Sequence, residues 1–92
     1  MLARMAHSVH VPSPLRSYTG GASRVSAEGA SLRALLADLD ARHRGLRFRM
    51  IDEQDRIRRH IRIFVNAREA QSIDEALQAA DEVHLVCALS GG

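Results

Sequence analysis

The sequence contains no lysine, no tryptophan and a single cysteine. All 13 basic residues are therefore arginine, so the N-terminal amine is the one primary amine open to modification. Cys87 has no partner for an internal disulfide, and nothing else indicates secretion. No apolar run approaches the roughly 20 residues of a membrane span, and the first residues lack the apolar core of a signal peptide. These absences predict a cytoplasmic protein with no membrane partner.

Aromatic residues are almost as scarce. The chain of 92 residues has only Tyr18, Phe48 and Phe64, so its core must be built from Leu, Val, Ile and Ala. A net charge of +2 with 26% charged residues is mixed rather than basic. Nucleic-acid-binding proteins usually concentrate positive charge and offer aromatic rings for base stacking. We therefore expect one domain that has no nucleic-acid partner.

The first third of the chain reads as a hairpin. Residues 7–12 (HSVHVP) alternate, with Val9 and Val11 on one face, and two prolines end the strand. Residues 18–22 (YTGGA) carry adjacent glycines, which accept a positive φ at little cost. Residues 23–27 (SRVSA) then predict a returning strand after a wide loop.

The strongest helix signal lies within residues 28–45. Four leucines at positions i, i+3, i+4 and i+7 form one apolar stripe, which predicts a face packed on the core: Leu32, Leu35, Leu36 and Leu39. Ser31 is a suitable N-cap, and Gly45 suits the position after the helix end.

The second half predicts two more strands. Residues 60–67 (HIRIFVNA) alternate, with Ile61, Ile63 and Val65 on one face, and residues 83–89 (VHLVCAL) form the last strand. Residues 49–60 are charged and predict a loop with one turn at most. Residues 72–82 predict a short helical turn. The order of elements predicts an α+β protein, a mixed sheet packed on one main helix.

Several stretches together resemble the ThiS/MoaD family of β-grasp sulfur-carrier proteins, and most closely its CysO type. The resemblance covers Val9 to Gly92. It rests on VPSPLRSYTGG (11–21), VSAEG (25–29), LLADLDARHRG (35–45), HIRIFVN (60–66) and DEVHLVCALSGG (81–92). A Gly-Gly ending alone is weak evidence, whereas that ending together with RIFVN and DEV at these spacings is specific.

The resemblance implies a ubiquitin-like β-grasp domain over residues 1–89, with residues 1–5 as a disordered extension and residues 90–92 as a flexible tail. It implies a carrier rather than an enzyme, with no catalytic residue and no bound cofactor. An adenylating enzyme of the ubiquitin-activating type would use ATP and Mg²⁺ to activate the carboxylate of Gly92. Sulfur would then replace AMP and leave a thiocarboxylate, which a sulfur-accepting biosynthetic enzyme consumes. A metalloprotease that trims the C-terminus is a further implied partner.

The tail suits this chemistry. Residues 89–92 reach roughly 13 Å when extended, and Gly91 and Gly92 keep that arm thin, with Ser90 at its base. Two other classes of function stay open: a ubiquitin-like modifier joined to lysines of other proteins, and a non-covalent adaptor. The acceptor pathway also stays open among cysteine, molybdopterin, thiamin and sulfur-containing natural products.

Three further expectations concern side chains outside the tail. Strand alternation places Phe64, Val86 and His84 on the face away from the helix, where they are candidates for partner docking. Cys87 is expected to be buried and structural. The five histidines have no tight ligand spacing, and His7 and His10 fall on opposite faces of a strand, so we expect no metal site.

Overall fold

Residues 5–88 are described by the structure, a computed structural model, and they form a mixed five-stranded sheet. The strands are β1 (Ala6–His10), β2 (Arg24–Glu28), β3 (Ile61–Val65), β4 (Arg68–Glu69) and β5 (Val83–Cys87). Their order across the sheet is β2-β1-β5-β3-β4, with β1 and β5 parallel and the other pairs antiparallel. The helices are α1 (Leu32–Arg42) and the short α2 (Leu46–Met50). The predicted mixed sheet on one main helix is confirmed.

The hairpin of β1 and β2 is closed by a wide loop, as predicted. The loop contains a 3-10 helix (Ser13–Thr19) that the sequence analysis did not predict. Gly20 and Gly21 follow it with φ of 64° and 90°, a conformation that glycine adopts without strain. Met5, assigned to the extension, accepts a hydrogen bond through its carbonyl from the Gly29 amide at 3.0 Å.

The helix α1 begins and packs as its sequence predicts. The Ala34 amide donates to Oγ of Ser31 at 3.1 Å, so Ser31 is the N-cap. The four leucines of the stripe are fully buried. Gly29 lies so close to α1 that a Cβ on it would sit 2.4 Å from the Leu35 amide nitrogen. Because that separation is far below van der Waals contact, the approach of β2 to α1 requires glycine here.

Residues 72–82 form no helical turn, so that prediction was wrong. The segment runs alongside the start of α1, where helix amides have no partner within the helix. The Leu32 amide donates to the Glu75 carbonyl at 3.0 Å, and the Arg33 amide donates to the Ile73 carbonyl at 2.7 Å. Ile73 and Leu77 are buried and anchor the segment to the core.

Residues 49–60 are more structured than a solvated loop. Met50 and Ile51 are buried, and Ile51 forms an isolated antiparallel bridge with Ile57. Because charged residues surround these two apolar side chains, the sequence pattern does not indicate that they are buried. The two-residue strand β4 is likewise too short to produce an alternation signal. No helix in the described part of the chain is long and apolar enough to span a membrane.

Candidate docking face and C-terminal tail

The predicted tail follows the central strand of the sheet. β5 lies between β1 and β3, and at its end the Ala88 amide donates to the His60 carbonyl at 2.7 Å. The predicted carboxylate site, Gly92, and the predicted tail residues Gly91 and Ser90 lie outside the described residues. The described residues therefore end at Ala88, just after a strand that β3 pairs along its whole length and β1 pairs only at Val83 and His84.

The predicted docking residues meet on the sheet face that points away from α1. Phe64 on β3 is the register partner of His84 on β5, and Val86 is the partner of Arg62. Val86 is 38% exposed, and Phe64 is half-buried. We call the surface formed by Phe64, His84 and Val86 the open-face patch.

A groove of about 540 Å³ continues this face across β5 and β1 towards β2. Besides His84 and Val86, its lining includes His10, Arg16 and Arg24. The Arg16 side chain is held in place because its Nε donates to the Val11 carbonyl at 2.9 Å. The two guanidinium groups give the groove a basic character that suits an acidic partner surface.

Two histidines and a carboxylate come together at the edge of this groove. The rings of His10 and His84 stack with centroids 4.1 Å apart and planes inclined by 11°. Nε2 of His10 lies 3.0 Å from Oε1 of Glu82, and Nε2 of His84 lies 3.7 Å from the same oxygen. Histidine spacing along the chain does not reveal this cluster. The signal that could have revealed this cluster is the pairing of β1 with β5, which makes His10 and His84 register partners.

His7 and Asp81 form the hydrogen bonds that fix the chain just before β5 begins. His7 is 2% exposed, and its Nδ1 and Nε2 each lie 2.9 Å from a backbone carbonyl oxygen, those of Asp81 and Gly29. The Asp81 carboxylate accepts hydrogen bonds from the Gln78 amide at 2.8 Å and from Nδ2 of Asn66 at 3.0 Å. These two donors, the Gln78 amide first, hold the pKa of Asp81 below its usual value.

Sequence reasoning missed a second apolar surface near the end of β5. Phe48 is 60% exposed, and the Arg58 guanidinium lies 4.6 Å from its ring centroid. Nε of Arg58 also donates to the Phe48 carbonyl at 2.7 Å. Phe48, Arg58 and His60 line a small groove, which adjoins the end of β5 because the His60 carbonyl binds the Ala88 amide. We call this surface the Phe48 patch.

Comparison with known proteins decides the family. The model of the ThiS family matches residues 9–92. The chain belongs to the ThiS family. The sulfur carrier protein CysO of Mycobacterium tuberculosis (strain ATCC 25618 / H37Rv) is 32% identical to it over 90 residues, covering 92% of this chain and 97% of the relative. The family identified from the quoted stretches is thus confirmed.

Solved structures confirm the ubiquitin-like β-grasp fold of this ThiS-family chain. The crystal structure of Mycobacterium tuberculosis CysO matches with a TM-score of 0.84 at 31% identity, over 89% of this chain and 98% of that one. A chain of the Amycolatopsis orientalis BexX/CysO complex matches with a TM-score of 0.85 at 28% identity, over 92% and 98%. SAMP1 from Haloferax volcanii, at 24% identity and a TM-score of 0.79 over 95% and 99%, shares the fold.

In a ThiS-family chain, a lone cysteine near the tail invites comparison with the predicted sulfur site. Cys87 pairs with Ile61 across β5 and β3 and packs on the margin of the core, half-buried rather than buried as expected. Burial raises the pKa of the Cys87 thiol, against a smaller opposing effect of Arg49. Because the thiolate is the nucleophilic form, this environment disfavours sulfur chemistry at Cys87.

Proposed function

We propose that this chain is a sulfur carrier in which the carboxylate of Gly92 carries the sulfur as a thiocarboxylate. The observation that carries the proposal is the family match, which extends through Gly92. The likeness to a curated sulfur carrier over 97% of that protein's length supports it. The chain itself would be no enzyme but a co-substrate of two partner enzymes.

The chemistry follows from the poor reactivity of a carboxylate. The Gly92 carboxylate attacks the α-phosphate of ATP, pyrophosphate leaves, and an acyl-adenylate forms on the adenylating enzyme, which holds ATP and Mg²⁺. Hydrosulfide then attacks the acyl carbon, AMP leaves, and a thiocarboxylate remains. A sulfur-accepting biosynthetic enzyme takes the sulfur from this group. No side chain of the carrier needs to exchange a proton or an electron in these steps.

The geometry at the start of the tail supports this role. β3 pairs with β5 along its whole length and the His60 carbonyl binds the Ala88 amide, so Ala88 is a firm starting point for the arm. Four extended residues reach about 13 Å beyond it. A partner must therefore bind close to the end of β5 if the carboxylate is to enter its active site.

The open-face patch is the proposed docking surface for these partners. Val86 lies two residues before Ala88 on β5, and Phe64 is the register partner of His84 on the adjacent strand. An aromatic ring beside an exposed aliphatic side chain is the kind of contact that anchors interfaces. The Amycolatopsis orientalis CysO was crystallised in complex with BexX. This complex supports the proposal that the present chain binds a partner protein. A C-terminus-trimming metalloprotease and a cytoplasmic location belong to the same proposal.

The test is mass spectrometry after incubation with an adenylating enzyme of the ubiquitin-activating type, ATP, Mg²⁺ and sulfide. We expect the chain to gain the mass difference between sulfur and oxygen, located at Gly92 by peptide mapping. Deletion of Gly92 should abolish the gain and leave the circular dichroism spectrum unchanged. A gain that persists in the deletion variant, or that maps to Cys87, would overturn the proposal. Adducts joined to lysines of added proteins, with no thiocarboxylate, would instead establish the modifier function.

A further inference from the structure

The cluster of His10, Glu82 and His84 has the composition of a metal site that the sulfur-carrier function does not use. One ligand atom from each residue can be chosen so that all three lie within 4.8 Å of one another. Two imidazoles and one carboxylate are a common ligand set for zinc. We propose that these three residues bind a divalent transition-metal ion, with Zn²⁺ as the expected occupant.

The ligand separations are close to those that zinc requires. With bonds of about 2.0–2.1 Å in a tetrahedral site, neighbouring ligand atoms lie about 3.3 Å apart. The observed contacts of Oε1 of Glu82, at 3.0 Å to Nε2 of His10 and 3.7 Å to Nε2 of His84, fall on either side of that value. Because the rings are nearly parallel, their in-plane lone pairs do not converge, so both rings must tilt out of the stack before their nitrogens can bind one ion.

The backbone brings the three residues together before any ion arrives. His10 and His84 are register partners on adjacent parallel strands. The Glu82 amide donates to Oδ1 of Asn66 at 3.0 Å, and its carbonyl accepts from the Asn66 amide at 2.8 Å. These contacts hold the backbone of Glu82, so an ion would have to order the three side chains but not the strands that carry them.

The site is open to solvent, and its ligands favour transition-metal ions over magnesium and calcium. The side chains of His10, His84 and Glu82 are 27%, 37% and 54% exposed. Three protein ligands leave at least one position for water or for a side chain of a partner. Imidazole suits zinc, copper or nickel, whereas magnesium and calcium prefer oxygen ligands. Arg24, the register partner of His10 on β2, lines the same groove and opposes any cation there.

The test is isothermal titration of the full chain with ZnCl₂ at neutral pH, together with the absorption spectrum of the Co²⁺-loaded protein. We expect one ion per chain and a visible band typical of tetrahedral cobalt. His10→Ala and His84→Ala should each lower the affinity by about tenfold or more, given what even outer contacts contribute. Glu82→Gln, which keeps the shape and removes the charge, should also weaken binding. Arg24→Gln should strengthen it.

A matched control is His60→Ala, an exposed histidine outside the cluster, which should leave the affinity unchanged. Thermal unfolding of each variant without metal establishes that it folds. Zinc binding of undiminished affinity in the His10→Ala/His84→Ala double variant would overturn the proposal, and so would an absence of binding by the unaltered chain. The outcome is independent of sulfur loading at Gly92, so either idea can fail alone.

Discussion

Replacing His7 with leucine should destabilise the fold, although leucine suits a buried strand position. The ring is 2% exposed, and its nitrogens face the carbonyl oxygens of Asp81 and Gly29 at 2.9 Å. A neutral imidazole donates one hydrogen bond and a protonated one donates two, so at least one carbonyl depends on this ring in either form. Leucine donates none.

The size of the stability loss follows from the two carbonyl groups that lose a hydrogen-bond donor. A buried polar group that loses its partner costs about 1–3 kcal/mol, so one or two such groups cost about 2–4 kcal/mol after leucine regains some apolar contact. A chain of this length has a free energy of unfolding of roughly 5–14 kcal/mol. The expected loss is therefore a large part of the total, and it corresponds to a fall of about 8–30 °C in the midpoint of thermal unfolding.

Urea unfolding followed by circular dichroism measures the loss. His7→Gln keeps one amide donor and should lose less than His7→Leu. The exposed His60 offers a matched control, since His60→Leu should stay within about 0.5 kcal/mol of the unaltered chain. If His7→Leu proves no less stable than His60→Leu, the two carbonyls do not need the ring, and the account of how the entry to β5 is held is wrong.

Three other predictions test the fold, its pH dependence and docking. Gly29→Ala should cost about 1–3 kcal/mol in urea unfolding, because the new Cβ would meet the Leu35 amide at 2.4 Å; wild-type stability would contradict this close approach. The pKa of Asp81 is depressed in the folded state, so its contribution to stability is present above the unfolded value of 3.8 and disappears as pH falls through the folded value. The free energy of unfolding should consequently drop less steeply between about pH 5 and 3 in Asp81→Asn than in the unaltered chain, and equal slopes would contradict it. Phe64→Ala should weaken binding to the adenylating enzyme by about 1–3 kcal/mol in calorimetry of the folded variant, whereas Phe48→Ala should not; the reverse result would move docking to the Phe48 patch.

The sequence predicted the secondary structure best where a local pattern of residues permits only one local conformation. The leucine stripe and Ser31 define α1, and the alternation at residues 60–67 orients β3, because burial of one face permits a single strand phase. That phase correctly placed Phe64, Val86 and His84 on the side away from α1. It could not set how deeply Phe64 is buried, since that depends on neighbours from other strands.

The sequence predicted least where partners come from distant parts of the chain. Residues 73–77 form no helix because the start of α1 binds the carbonyls of Ile73 and Glu75, a demand that no local propensity records. His10, Glu82 and His84 are 74 positions apart at most in the chain and meet only through the parallel pairing of β1 with β5. Nothing in the sequence pattern sets the burial of Phe48, which is exposed because Met50 and Ile51 take the buried positions beside it.

The length of the tail links the covalent site to the docking surface. From Ala88 the carboxylate of Gly92 reaches about 13 Å, so an enzyme that binds far from the end of β5 cannot receive it. Val86 and His84 lie two and four residues before Ala88, at about 7 and 13 Å along an extended strand. The carbonyl of His60, the residue before β3, accepts a hydrogen bond from the Ala88 amide. Both apolar patches therefore lie within the distance that the tail can span. A tail without bulky side chains can enter active sites of different shapes. The fixed position of β5 limits the surfaces on which a partner can bind and still receive the carboxylate.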